Sequence, residues 1–389
     1  MTVFIERNEL VALAAAGPEN VYFVSGWPSR ALYRYPLAGR ALGAFVPGAS
    51  PQSTCILSDF EAPSVPEDLH IGVASFATWM DIDDPLGLKG DAGVRDRPSE
   101  FQMSSAFATF NAVLTAGGVR RGRVGIDAAL MSVSGWEALH KANPGFEFID
   151  LTREMFELRL IKTQWEIACL RLAAASAARG LTATAADIRI GATEADLVRK
   201  FRIAIDSDPE CDRPGHAQVL IGPTFAPTHL PQSAPARAGA VVELDVGTQV
   251  LGYTSDIART FVLGDPSSLL EGVYEALRAG HDHLLENARP GIGMRELYEG
   301  ATAKVLKSGL SRYRRGHLGH SIGLDIRVEE PPVVGPSEQT VLQPDMVLCL
   351  ETPYYAHGIG GVSIEDMVLV TDDGAENLTP LSRDLGVIK

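Results

Sequence analysis

Two aspartates place the tightest constraint on this chain. In VVELDVGTQVLGYTSDIARTF, Val241 to Phe261, Asp245 and Asp256 lie in two β-like runs with a turn near Gly252 between them. The first run alternates: Val242, Leu244 and Val246 share one face, and Val241, Glu243 and Asp245 share the other. A hairpin centred between Val250 and Leu251 sets Asp245 directly opposite Asp256, with Cβ atoms about 5 Å apart. Two carboxylates that close repel, and burial strengthens the repulsion. Either something positive lies between them or one of them holds a proton.

The device recurs in VLCLETPYYAHGIGGVSIEDMVLV, where Glu351 and Glu365 are equidistant from Gly358. A hairpin turning there brings a second carboxylate pair face to face. Between the two hairpins, GHLGHSIGLD carries His317 and His320 beside glycines. If the hairpins pack together, four carboxylates and an imidazole converge. Oxygen-rich sites with one imidazole suit Mn, Fe, Co or Zn, and four carboxylates balance two such ions. Water shared by two ions becomes a nucleophile near neutral pH.

A chain of 389 residues, 46% of them hydrophobic, supports two domains with sizeable cores. Its net charge of −15 argues against nucleic acid as a partner. The four cysteines, Cys55, Cys169, Cys211 and Cys349, are scattered without CxxC spacing and read as unpaired thiols of a reducing compartment. No signal pattern opens the chain and no apolar run approaches the length of a membrane span. Together these predict a cytoplasmic protein without a membrane partner.

Strands alternate with helices up to about residue 150, as in an α/β layered domain. ELVALAAAG, Glu9 to Gly17, and the PENVYFVSG segment read as two strands, CILSD, HIGVASFATW, GRVGID and FEFIDL as further strands, and SSAFATFNAVLTAGG and SGWEALHKANPG as helices, the latter capped by Ser134. Residues 81–100 read as a long surface loop. The boundary is placed at 155/156. REMFELRLIKTQWEIACLRLAAASAARG then reads as one long amphipathic helix, and TEADLVRKFRIAID as another, capped by Thr193. His281 and His283 are read as solvated on a polar helix face. Helices followed by a carboxylate hairpin occur twice, which suggests an internal pseudo-repeat.

The motifs PTHLP, ELDVGTQVLGYTSDIARTF, GHLGHSIGLD and ETPYY…GGVSIEDMVLVTDDG resemble those of the creatinase, prolidase and methionine-aminopeptidase superfamily, whose catalytic domain has the pita-bread fold. PENVYFVSG and the linker LRLIKTQWEI are similar to the two-domain members. The resemblance implies an α+β chain: a creatinase-like α/β domain over residues 1–155, lacking the usual first helix, then a pita-bread catalytic domain over 156–389. It implies Asp245, Asp256, His320, Glu351 and Glu365 as ligands of two divalent ions, with Mn first and Co, Fe or Zn as alternatives. Glu351 is then also the general base, His229 a substrate-side histidine, and a homodimer the assembly. Arg327 stands seven residues after His320, where metallopeptidases of this kind carry a histidine. Its guanidinium suits a substrate carboxylate.

These residues point to a metallohydrolase that cleaves a C–N bond, with an Xaa-Pro dipeptide as the first substrate class. A small non-peptide, carboxylate-bearing amide or amine is the second, favoured by Arg327. A metal-free pseudo-enzyme serving as a binding module is the third reading, and the complete ligand set speaks against it.

Overall fold

The computed structural model describes residues 1–80, 82, 86, 97–223, 234–324 and 329–389. It forms two compact units, Met1–Leu158 and Arg159–Lys389.

The first unit is built on a six-stranded mixed sheet. Its strands are β1 (Ala12–Ala15), β2 (Leu42–Phe45), β3 (Ser53–Ser58), β4 (Gly72–Phe76), β5 (Gly122–Ile126) and β6 (Phe146–Asp150), in the order β4-β3-β2-β1-β5-β6. Its helices are α1 (Thr2–Arg7), α2 (Pro18–Ser25), α3 (Arg30–Arg34), α4 (Met103–Ala116), α5 (Val133–Ala142) and α6 (Thr152–Leu160), the last running across the division between the units. Alternation along β1 accounts for the layers. Ala12 and Ala14 enter one apolar cluster with Phe107, Phe110 and Leu114 of α4. Leu13 and Ala15 enter another with Phe4 and Ile5 of α1 and Val21 and Val24 of α2. A strand covered on both faces reads as one continuous apolar run, which is what VALAAAG is.

Three sequence expectations need correction here. PENVYFVS, rich in β-formers, is the helix α2. Pro18 sits in its first turn and Gly26 closes it at φ 74°, and these two punctuators outweigh the Val and Tyr propensities. The first helix expected to be missing is α1. The cap of α5 is Ser132, whose side chain accepts from the Gly135 N–H, and Ser134 lies inside the helix.

The second unit begins with another correction. The long helix is two helices, α6 and α7 (Gln164–Ala185), broken at Ile161–Thr163. Thr163 caps α7 and Glu166 returns the bond to the Thr163 N–H, a capping box that starts a new helix. The helices α8 (Glu194–Asp206), α9 (Ser268–Asn287) and α10 (Met294–Lys307) follow. The strands are β7 (Arg213–Ile221), β8 (Val241–Val250), β9 (Tyr253–Thr254), β10 (Ile257–Leu263), β11 (Gly319–Ser321), β12 (Glu330–Val333), β13 (Val347–Glu351), β14 (Tyr354–Ala356), β15 (Gly360–Val362), β16 (Glu365–Val370), β17 (Ala375–Asn377) and β18 (Gly386–Ile388). The main sheet runs β12-β11-β13-β16-β10-β8-β7. The pair α7–α8 precedes the first carboxylate hairpin and α9–α10 the second, so the element order repeats.

The helices cover the face that the carboxylates leave. On β13, Leu348 and Leu350 join the apolar cluster formed with Leu277 and Leu284 of α9 and Leu297 and Val305 of α10. Glu351 alternates to the other side. On β8, Thr248 donates to the Ala173 carbonyl of α7 at 2.8 Å, and Asp245, an odd number of residues away, points the other way. His281 is not solvated as expected. It is fully buried, with Nε2 3.0 Å from the Leu350 carbonyl oxygen, because it continues the Leu277–Leu284 stripe of α9 at helical spacing.

Candidate metal centre

One row of paired residues crosses four strands and builds the site. Asp245 pairs with Ala258, Ala258 with Glu365, and Glu365 with Glu351. Directly paired residues in antiparallel strands project to the same face, so the three carboxylates stand in line with an alanine among them. The two hairpins do not stack. They lie side by side in one sheet, joined along β10 and β16.

The second hairpin has the register read from the sequence, with Glu351 opposite Glu365. The first does not. Its turn residues are Leu251 (φ 48°) and Gly252 (φ 84°), both left-handed as a two-residue type I′ turn requires. The hairpin therefore centres between Leu251 and Gly252, and Asp245 faces Ala258 rather than Asp256. A slip of two residues preserves the face, so Asp256 becomes the diagonal neighbour of Asp245.

His320 comes to the same centre from β11, where it pairs with Cys349. Gly319 allows this approach: a Cβ there would lie 2.3 Å from the Cys349 carbonyl oxygen, and its φ is 144°. Nε2 of His320 lies 3.7 Å from Asp256 and 3.6 Å from Glu365. Its Nδ1 lies 2.9 Å from the Ser321 carbonyl oxygen, which only a protonated Nδ1 can satisfy. The lone pair is thereby fixed on Nε2, the atom that faces the carboxylates. Cys349 is buried beside them, and its Sγ donates to the Asp256 carbonyl at 3.7 Å. Burial, reinforced by Glu365 and Asp256, pushes its thiol well above the usual range, so it stays a neutral, small packing residue.

Three further side chains join that sequence reasoning left aside or undecided. Nε2 of His216, on β7, lies 2.8 Å from Asp245 and 3.0 Å from Asp256. Burial opposes its protonation, but the charges of Asp256 and Asp245 outweigh burial and hold its pKa well above the usual imidazole value. His317, the first histidine of GHLGHSIGLD, has Nε2 3.2 Å from Glu351 Oε1. Glu243 shares the face of Asp245, is fully buried, and accepts no hydrogen bond on either oxygen. A signal for His216 existed in the Pro214-Gly215 pair ahead of it, since both residues mark an irregular strand.

The electrostatics say what the site lacks. Burial pushes the Glu365 carboxyl well above its ordinary range, and Asp256 and Glu351 add to the effect. Burial likewise raises Asp256, against the opposing pull of His216. Glu243 is raised by burial and by Asp245. Oε1 of Glu365 and Oδ1 of Asp256 accept no hydrogen bond. Buried carboxylate oxygens without donors, gathered around one imidazole lone pair, fit divalent cations of the Mn to Zn series. His229 and Arg327 lie outside the described residues.

Comparison with known proteins gives the family and the fold. The model of metallopeptidase family M24 matches residues 168–372. The Xaa-Pro dipeptidase of Pyrococcus furiosus is 30% identical over 98% of this chain and 97% of its own length. That of Pyrococcus horikoshii is 26% identical over 98% and 96%. The crystal structure of the prolidase from Pyrococcus horikoshii OT3 superposes with a TM-score of 0.79 at 25% identity, covering 98% of this chain and 97% of that one. The architecture is the pita-bread fold behind an N-terminal domain, and the chain belongs to metallopeptidase family M24, as a metal-dependent peptidase.

Proposed function

We propose that this enzyme is an Xaa-Pro dipeptidase that works with two divalent ions, manganese first, as a cytoplasmic homodimer. The row Asp245–Ala258–Glu365–Glu351 carries the metal reading, because it lines up three carboxylates on one face of the sheet. The substrate class rests on relatives named Xaa-Pro dipeptidase that match the chain over nearly its whole length. Asp245, Asp256, His320, Glu351 and Glu365 would hold the ions. When bound, such ions acidify water and polarise a carbonyl.

The protein's own groups handle the proton. Glu351 sits at the end of the carboxylate row and serves as general base. His317, with Nε2 3.2 Å from Glu351 Oε1, is within reach of that proton. By family resemblance, His229 stabilises the developing oxyanion; Arg327, which replaces the family's histidine, binds the substrate carboxylate through its planar fork of donors. Arg327 also supports a second substrate class, a small carboxylate-bearing amide or amine, because a guanidinium fork matches a free carboxylate. The test is steady-state kinetics of the Mn²⁺-loaded enzyme on Xaa-Pro dipeptides beside small amides and anilines. Proline release that stops on chelation and falls by at least tenfold in Glu351→Gln supports the first class. Turnover of the small amides alone moves the assignment to the second, and no turnover of either refutes both.

A further inference from the structure

We infer that His216 is a sixth protein ligand of the metal centre, bound to the ion on the Asp245–Asp256 side. The inference rests on the dinuclear reading above and goes beyond its five ligands. Nε2 of His216 is 2.8 Å from Oδ1 of Asp245 and 3.0 Å from Oδ1 of Asp256. Donors at right angles around one ion, each at about 2.1 Å from it, are separated by about 3.0 Å. Each aspartate oxygen therefore stands from the imidazole nitrogen at the spacing of neighbouring corners of one coordination sphere, and the ligand atoms of all three residues lie within 4.8 Å of one another. Asp256 is more than nine-tenths buried, yet its Oδ1 accepts no hydrogen bond even with the imidazole this close. Such an oxygen shares a target with the imidazole.

The backbone is shaped to deliver the ring. Pro214 pairs with Thr248 and Ala217 with Val246, so Gly215 and His216 together face Gly247 across a β-bulge. A bulge re-aims the side chain that follows it, and bulges concentrate beside active sites. It keeps His216 on the face of Gln218, the residue paired with Asp245. A Cβ on Gly247 would lie 2.6 Å from Cε1 and 2.7 Å from Nδ1 of the His216 ring. The Ser255 carbonyl oxygen stands closer still, 2.1 Å from such a Cβ, so glycine at 247 serves both the backbone contact and the ring.

The donor balance follows. With His216, the set would offer two imidazoles and four carboxylates to the two ions in place of one imidazole and four carboxylates. Imidazole favours Co, Fe and Zn, whereas all-carboxylate sites favour Mn. His216 therefore moves its ion towards the later metals.

The experiment is a Co²⁺ titration of metal-free protein, read by visible absorption and by competition with a chelator. It is run on wild type, His216→Ala, His216→Gln and Asp256→Asn. Loss of His216 should weaken one Co²⁺ at least tenfold, shift its absorption band, and raise the Mn²⁺-over-Co²⁺ preference. X-ray absorption of the wild type with both Co²⁺ ions bound needs no variant to fold, and should give an average of one imidazole per ion. An average of one-half overturns the inference. So do His216 variants that keep both affinities and the spectrum while Asp256→Asn loses an ion, since His216 then only hydrogen-bonds to the aspartates. If Asp256→Asn also binds both ions as wild type does, the dinuclear reading itself falls.

Discussion

Replacing Glu365 with glutamine should stabilise the metal-free protein and remove most of the stabilisation that metal gives. In the metal-free protein Oε1 of Glu365 is a buried acceptor without a donor, a penalty of about 1–3 kcal/mol. At about 2–4 °C per kcal/mol for a unit spanning Arg159–Lys389, relieving it raises the melting temperature by about 2–12 °C. In the wild type, metal at a hundredfold excess over its dissociation constant adds about 2.7 kcal/mol, or about 5–11 °C, and the variant should lose this. The pH dependence has a definite sign. Glu365 and His216 both have folded-state pKa values raised above the unfolded ones. Their contributions are complete below the unfolded values, near 4.3 and 6.5, and are lost as pH rises through the folded values. Metal-free protein therefore weakens with rising pH, while metal binding strengthens as its ligands deprotonate. His281 acts in the opposite direction below pH 6.5, so melts are read at pH 7, 8 and 9. Circular dichroism melts of chelated and Mn²⁺-reloaded protein should show a metal increment that grows with pH. A metal-free Glu365→Gln that melts at or below wild type at pH 8, or one that keeps the full increment, would refute the reasoning.

The remaining expectations concern the scaffold. Burial lowers the His281 pKa to about 4, so its neutral form contributes about 3 kcal/mol that is lost as pH falls from 6.5 through 4; the urea-midpoint difference between wild type and His281→Gln, in which the raised carboxylates cancel, should change by that amount across the range, and a constant difference would contradict the burial argument. Arg159 Nη2 lies 3.4 Å from Glu330 Oε1 with both groups buried, and the buried Lys162 feels the same carboxylate. Glu330→Gln leaves buried cations undercompensated and should cost about 3–5 kcal/mol in urea unfolding; a loss under about 1 kcal/mol would show the cations are balanced elsewhere. Thr163→Ala removes one half of the α7 capping box and should cost about 1 kcal/mol in the same assay.

What the sequence disclosed about the site depended on periodicity more than on turn position. The midpoint rule placed Glu351 opposite Glu365 because Gly358, at φ 84°, sits at the centre of that hairpin. It misplaced Asp245 because Leu251-Gly252 is an unusual type I′ pair, with a branched residue in the left-handed region where asparagine or aspartate would have announced the turn. The error cost little, since a two-residue slip leaves every side chain on its face; a one-residue slip would have sent Asp245 towards α7. Helix boundaries failed where β-formers fill a helix bracketed by Pro18 and Gly26, and where a Thr-x-x-Glu box interrupts an apolar stripe.

The residues that escaped are those whose role arises between strands. Ala258 looks like filler in SDIARTF, yet it pairs with Asp245 on one side and Glu365 on the other, and a small side chain there leaves room between the two carboxylates. Gly247 is one glycine among 38 until a bulge on the neighbouring strand lays His216 over it. Neither residue has chemistry of its own. Each is specified by what its neighbours across the sheet must reach, and a linear pattern cannot display that requirement before the register is known. The ligands were legible because charge in an apolar run needs a reason, while the small residues that admit them needed the fold.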